Sequence, residues 1–263
     1  MKIMIFGANG MLGRYLVTDF QDRHTVIPVT RKELDLLELT EVALKRFVKK
    51  HKPDLIINAA GLIKQRNPKV LDLVAVNTVF PQMLGKLKEE LGAEIIHITT
   101  DCVFSGRDGD YTETSLHDCT DEYGKTKSLG EHPKLTIIRT SIIGEEYENK
   151  LSLIEWVKSQ AGKEVQGYVY HDWNGVTCLE LCKVIERVIE SGAYWEGVQH
   201  IFSPNTVTKG ELVKMISDAF GLNVTVVPTV TDVVTRTLST NSMPMVTTDL
   251  FDQLGELSNF KLA

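Results

Sequence analysis

Nothing in the 263 residues reads as a disulfide framework: the four cysteines, Cys102, Cys119, Cys178 and Cys182, include no C-x-x-C pair. Cys178 and Cys182 stand four apart in a helical pattern and read as reduced core thiols. No H-x-x-x-H spacing or histidine–cysteine cluster points to zinc, so no metal is expected. Basic blocks are missing as well. With a formal net charge of −6, neither nucleic acid nor a membrane surface is an expected partner. There is no run of about 18 apolar residues and no charged leader ahead of an apolar stretch, so a cytoplasmic location is the expectation. Internal repeats, heptads and low-complexity tracts are absent. What remains is 43% hydrophobic and 24% charged, long enough for one large domain with a smaller appendage.

Glycine, by contrast, is concentrated where it counts. The apolar run Ile3 to Phe6 leads into Gly7, Gly10 and Gly13, and apolar periodicity resumes at Leu12, Leu16 and Val17. A buried parallel strand, a tight turn and a helix read this way. Gly7 lets the chain turn, Gly10 admits a ligand phosphate to the backbone, and Gly13 lets the helix lie on the strand. The free N–H groups of that helix then face an anion. The spacing is G-x-x-G-x-x-G, which alone also occurs in ordinary turns.

Strands and helices then alternate. Strands are predicted at Thr25–Thr30, Pro53–Asn58, Glu94–Thr99 and Leu135–Thr140, with helices over Thr40–Lys50, Leu71–Leu91 and Glu122–Glu131. Pro81 falls inside the second helix and predicts a kink or a division there. Ser105–Asp121 is a polar loop without a readable period. Beyond Gly144 the pattern gives helices at Leu151–Ala161, Thr177–Ser191 and Thr208–Phe220, strands at Val165–Tyr170 and Gln199–Phe202, and no long periodic element after Val227. The fold class is therefore α/β: a Rossmann-type doubly wound parallel sheet with a small C-terminal substrate-binding cap. Residues 1–145 are expected to form the NAD(P)-binding core. Residues 146–263 are expected to be mainly a substrate-binding region, with some elements returning to the core.

The chemistry-bearing pair is Tyr123 and Lys127, four apart and so on one helix face. A phenol titrates near 10, and a neighbouring ammonium is expected to bring it toward working pH so that it can give a proton to a carbonyl oxygen. Thr100, at the end of the fourth strand, is the candidate hydroxyl to hold that oxygen. Arg31 and Lys32 follow the second strand where a strict NAD site often places a carboxylate, which favours NADPH over NADH. Small residues Ala59, Ala60 and Gly61 end the third strand, as close backbone approach to a cofactor requires.

The chain resembles the extended short-chain dehydrogenase/reductase superfamily, and within it the dTDP-4-dehydrorhamnose reductase branch of sugar-nucleotide reductases. The resemblance rests on Gly7-Ala-Asn-Gly10-Met-Leu-Gly13, Leu34-Asp35-Leu36, Pro53 to Gly61, Val76-Asn77, Thr99-Thr100-Asp101-Cys-Val-Phe104, Tyr123 to Glu131 and Ile138-Arg139-Thr140-Ser141. It covers the first 144 residues well and the rest loosely, through Asn174 to Thr177 and Arg236 to Ser239. It implies Tyr123 as proton donor, Lys127 as the group that lowers its pKa and binds nicotinamide ribose, and Thr100 in the usual Ser/Thr place. It further implies a cofactor over Gly7, Asn9, Gly10, Met11, Leu12 and Gly13, with Arg31, Asp35 and Leu36 at the adenosine end and Ala59, Ala60, Gly61 and Thr99 beneath. Cys102, Val103, Phe104, His171, Trp173 and Arg236 are the expected substrate contacts.

The activity so implied is NADPH-dependent reduction of a nucleotide-linked 4-keto-6-deoxysugar to its C4 alcohol, with a homodimer common in the superfamily. The alternatives are an epimerase or epimerase-reductase of the same superfamily, and a non-catalytic NADP-sensing subunit. Departures from the branch lie on the substrate side. Cys102 stands where an aromatic is usual, and Asp118-Cys119-Thr120-Asp121 replaces a proline-containing approach to Tyr123. Asp101, Asp108, Asp110 and Glu113 crowd one loop; the resemblance leaves a divalent ion there open, and solvated charge is the preferred reading.

Overall fold

The computed structural model describes residues 1–148 and 150–262. The first half builds β1 (Lys2–Phe6), α1 (Met11–Phe20), β2 (Thr25–Val29), α2 (Glu41–His51) and β3 (Leu55–Asn58). Short α3 (Val70–Leu73) and α4 (Phe80–Leu91) follow, then β4 (Glu94–Thr100), α5 (Glu122–Leu129) and β5 (Thr136–Thr140). After them come β6 (Ile142–Ile143), α6 (Leu153–Ser159), β7 (Glu164–Tyr168), β8 (Asp172–Trp173), β9 (Val176–Thr177) and α7 (Cys178–Ser191). The chain ends with β10 (Gly197–His200), β11 (Val207–Thr208), α8 (Lys209–Ala219), β12 (Thr225–Thr229) and α9 (Leu250–Asn259). Among the described residues no helix is long and apolar enough to cross a membrane.

Six parallel strands form the main sheet in the order β10-β5-β4-β3-β1-β2. Side chains alternate across it, as a strand's period of two demands. Ile3, Ile5, Ile57 and Ile98 face the layer of α1 and α7, whereas Met4, Phe6, Ile56 and Ile95 face α2 and α4. Both faces are thus covered, which is why these strands read as unbroken apolar runs. The chain order reverses beside β1, and the expected doubly wound α/β sheet is the one observed. β10, from the second half, completes its edge. The cap pairs β7 with β12, packs α8 against them and α6 against α8.

The predicted helix over Leu71–Leu91 is divided, as Pro81 led one to expect, with the division just ahead of the proline: a π-helical turn, Val74–Val79, separates α3 from α4. Pro81 lacks an N–H, and widening the preceding turn accommodates both the missing bond and the ring. The expectation for the tail needs correction, because α9 is capped by Asp249, whose side chain accepts from Phe251 N, and buries Leu250, Leu254 and Leu257. The loop Ser105–Asp121 is ordered by side chains and by a parallel bridge, Tyr111 with Leu238. Tyr111 Oη accepts from Gly106 N and Asp108 N, and Asp118 accepts from both Ser105 N and Oγ.

Candidate active site

A cleft of about 850 Å³ runs along the carboxyl edge of the sheet. At one end the β1–α1 turn folds as the glycines require. Gly7 has φ +78°, and a Cβ on Gly13 would stand 2.1 Å from the Gly7 carbonyl oxygen. Gly7, Asn9, Gly10, Met11 and Leu12 line the cleft, while Gly13 lies beneath it as the contact that seats α1. Arg31, Lys32, Asp35 and Leu36 line the end beside β2. The Glu33 carboxylate is turned away onto Thr30, accepting from its N (2.8 Å) and Oγ1 (2.5 Å). The two cations therefore face the cleft without that anion between them.

Ala59, Ala60 and Gly61 form the floor. They are fixed by Asn77 in the π-turn, which accepts from Leu62 N (2.9 Å) and donates to Leu62 O (3.0 Å). Asn77 also donates to Thr126 Oγ1 at 3.4 Å, tying that floor to α5. In the sequence it stands only among the residues that carry the resemblance. The segments 62–66 and 151–153, with Glu146 and Glu148, close the cleft and carried no sequence signal.

Thr99, Thr100, Cys102, Tyr123 and Lys127 line the far wall. α5 is launched there by Asp121, whose Oδ1 accepts from Gly124 N at 2.7 Å. Lys127 is fully buried, and its Nζ donates to Ile98 O at 2.9 Å. Burial brings this ammonium down to about 8, against the raising pull of Glu131. Tyr123 corrects an expectation: its phenol is pushed up, not down. Burial dominates, the Asp101 charge adds to it, and the Thr100 hydroxyl opposes them. The phenol is thus held firmly protonated. Thr100 Oγ1 donates to Asp101 Oδ1 (3.0 Å) and accepts from Cys102 N (3.2 Å), so its proton must rotate away before it can meet a substrate. Burial pushes the Cys102 thiol up to about 12, which leaves no thiolate for nucleophilic work.

The expected substrate contacts are dispersed. Only Cys102 reaches the cleft. Val103 and Phe104 are fully buried, Phe104 stacked 4.2 Å from Tyr111, because the short 3₁₀ turn Asp101–Val103 points them into the core. Arg236 is spent on the Phe104 and Ser105 carbonyls, at 3.0 Å each. Trp173 is 3% exposed, with Nε1 donating to Ser141 Oγ. His171 lines a second cavity of about 560 Å³ in the cap, together with Leu153, Trp156, Gln166, Tyr168 and Lys209. Leu153 borders both cavities.

Lys209 is the residue sequence reading missed there. Its Nζ lies 4.9 Å from the Trp173 ring, and burial lowers its pKa although Asp101 faces it. A cation at the first position of a helix opposes the helix dipole, and that was the available signal.

The carboxylates of the loop part ways. Asp110 pairs with Thr237, and Glu113 with His200 N, Thr240 and Asn241. Among the described residues no group of three or more His, Cys, Asp or Glu side chains is placed to hold a metal.

A dinucleotide fits this cleft on two observations. The glycine turn leaves helix N–H groups open to an anion, and Thr99 Oγ1 is buried on the cleft wall without a hydrogen-bond partner.

Comparison with known proteins gives a family model and several relatives. A family model described as RmlD substrate binding domain matches residues 1–250, well past the point where the motifs thin out. A dTDP-4-dehydrorhamnose reductase of Aggregatibacter actinomycetemcomitans is 29% identical over 215 residues, 76% of this chain and 72% of that one. Methionine adenosyltransferase 2 subunit beta of Xenopus laevis is 27% identical over 250 residues, 84% of this chain and 72% of that one. The solved dTDP-4-dehydrorhamnose reductase of Bacillus anthracis, in complex with NADP, superposes with a TM-score of 0.82 at 22% identity, covering 97% and 98% of the two chains. At that identity the likeness speaks for the fold.

Proposed function

Because the chain belongs to the family described as RmlD substrate binding domain, we propose that it is an NADPH-dependent reductase of a nucleotide-linked 4-ketosugar. One observation carries the reading: Thr100, Tyr123 and Lys127 converge on the wall of the same cleft whose other end is the glycine turn. A bound dihydronicotinamide would supply the hydride. Tyr123 gives its Oη proton to the ketone oxygen as the alcohol forms, and being held protonated by burial suits it to that direction. Lys127, one turn along α5, places positive charge on the side where the phenolate is left. Gly7 and Gly10 cradle the diphosphate, and Arg31 and Lys32 meet the adenosine end. The nucleotide end of the sugar substrate belongs in the cap cavity, where Trp156 and Tyr168 offer ring faces and Lys209 a cation.

The test is NADPH consumption against a panel of nucleotide-linked 4-ketosugars, with products identified by NMR. Stoichiometric oxidation with a new C4 alcohol supports the reading; tight NADPH binding with no consumption by any member sinks it. The likeness to a methionine adenosyltransferase beta subunit favours a second reading, a cofactor-binding subunit without turnover. The retained Thr100, Tyr123 and Lys127 argue for the first, since a subunit that only binds the dinucleotide needs no proton donor.

Cofactor choice has its own test. Arg31→Ala is expected to raise the NADPH Kd by about tenfold, the worth of one charge-assisted phosphate contact, and to leave the NADH Kd within twofold. Titration by fluorescence checks this; equal weakening of both would remove Arg31 from 2′-phosphate recognition.

A further inference from the structure

β5 carries a charge that the proposed reaction does not use. Arg139 is 1% exposed. Its guanidinium donates from Nε to Glu131 Oε1 (3.0 Å) and from Nη2 to Glu131 Oε2 (2.5 Å). The other donors go to two imidazoles, Nη1 to His200 Nε2 and Nη2 to His117 Nε2, each at 2.8 Å. A ring nitrogen that accepts from a guanidinium keeps its lone pair, so both rings are neutral in this arrangement. His200 then donates Nδ1–H to Ser239 O at 2.7 Å. His117 Nδ1 meets Ser128 Oγ, in the last turn of α5, at 2.6 Å. The Phe104 ring closes the centre, 5.2 Å from the guanidinium carbon.

These partners surround one element. His117 lies in the loop that enters α5, Ser128 sits on it, and Glu131 follows its end. α5 in turn carries Tyr123 and Lys127. At its other end the helix is pressed against β4's exit, where a Cβ on Gly124 would stand 2.3 Å from the Cys102 carbonyl oxygen. The helix is therefore located by steric contact at its start and by the Arg139 centre at its finish.

We propose that Arg139, with Glu131, His117 and His200, forms the positioning centre of the helix bearing Tyr123 and Lys127, and that its two neutral imidazoles make this positioning acid-sensitive. Protonating either ring removes the accepting lone pair and sets a second cation against Arg139 out of water. His117 faces Glu131 and Asp118 besides Arg139, and His200 faces Glu113 and Glu131 besides Arg139. Burial outweighs those carboxylates: both rings lie below the ordinary imidazole range, His200 at about 4. From the ordinary value of 6.5 down to about 4, the unfolded chain takes up the His200 proton and the folded chain does not. The folded arrangement therefore loses ground as pH falls through that window and keeps its full stability above it. Glu131 also faces Lys127, so loosening the centre is felt at the ammonium in the cleft.

The turnover arm of the test rests on the proposed reductase activity; the exchange arm does not. Glutamine offers an oxygen acceptor to the guanidinium and does not titrate here, so the proteins to compare are full-length wild type and the His117→Gln/His200→Gln double variant. Hydrogen exchange over residues 122–129, corrected for intrinsic rates, is measured at pH 7.5 and 5.5. In wild type, protection of α5 should fall at least tenfold at the lower pH while β1 and β3 keep theirs; in the double variant α5 should hold. The acid limb of kcat should move down by about one pH unit in the variant, with the NADPH Kd unchanged. Wild-type protection that does not fall selectively at α5, or that falls equally in the variant, overturns the proposal. Should the variant not fold, the wild-type comparison alone decides it. Absent turnover with normal exchange behaviour would count against the reductase reading and not against the centre.

Discussion

Replacing Tyr123 by phenylalanine is expected to lower turnover by about 10²–10⁴-fold, the range for removing a positioned general acid. The fold should hardly notice. The Thr100 hydroxyl that meets the phenol keeps Asp101 and Cys102 N as partners, so removing the Tyr123 hydroxyl orphans no buried group, and the ring still fills its place. NADPH affinity should stay within about twofold, because the glycine turn, Arg31 and the Ala59–Gly61 floor are untouched. The wild-type pH profile sharpens the test. Since burial holds the phenol protonated, the proton donor is present throughout the neutral range. The alkaline limb then belongs to Lys127, whose ammonium is lost above about 8. Single-turnover mixing with the substrate identified by the panel measures the effect. Wild-type rates from the phenylalanine variant would remove Tyr123 from the chemistry, and the proton would have to come from solvent or from the Thr100–Asp101 pair.

The cofactor side was legible because its demands are local. A turn that needs φ > 0 at Gly7 and room at Gly13 leaves its mark in consecutive residues, and so does a strand ending in Ala59-Ala60-Gly61. The substrate side was read through likeness to a segment, and a segment does not say which of its side chains turn inward. Val103 and Phe104 follow Thr100 closely in sequence, yet a single 3₁₀ turn sends them into the core. Long-range polar architecture was invisible for a related reason. Arg139 meets Glu131 from 8 residues away, His117 from 22 and His200 from 61, and no period records such meetings. α9 is different: Leu250, Leu254 and Leu257 after a capping Asp249 were a readable helix signal, masked by the polar and proline-bearing stretch before them.

Lys127→Met separates function from stability more sharply than any other change. Turnover should fall by about 10²–10³-fold, because the positive charge beside the departing Tyr123 proton is gone. Stability at pH 7 should not fall with it. The ammonium is fully buried with one carbonyl partner and is brought from 10.5 to about 8, so in the folded chain the charge is a liability. By linkage the folded state gains as pH rises from about 8 to 10.5, where the unfolded chain still binds the proton that the folded chain has released. At pH 7 that deficit is on the order of 3 kcal/mol, and methionine, of similar length and uncharged, relieves it. Against this stands the lost hydrogen bond to Ile98 O, about 1–3 kcal/mol. The balance predicts a melting temperature equal to or above wild type. Glu131 is not orphaned by the change, since its carboxylate is already held by both arms of Arg139. Arg139→Met supplies the contrast: there a buried carboxylate does lose its partner, and about 3–5 kcal/mol should go with it. Thermal unfolding of the two variants side by side measures the difference. A Lys127→Met protein that melts several degrees below wild type would mean that this lysine holds the fold together, and that its place in the cleft is structural before it is catalytic.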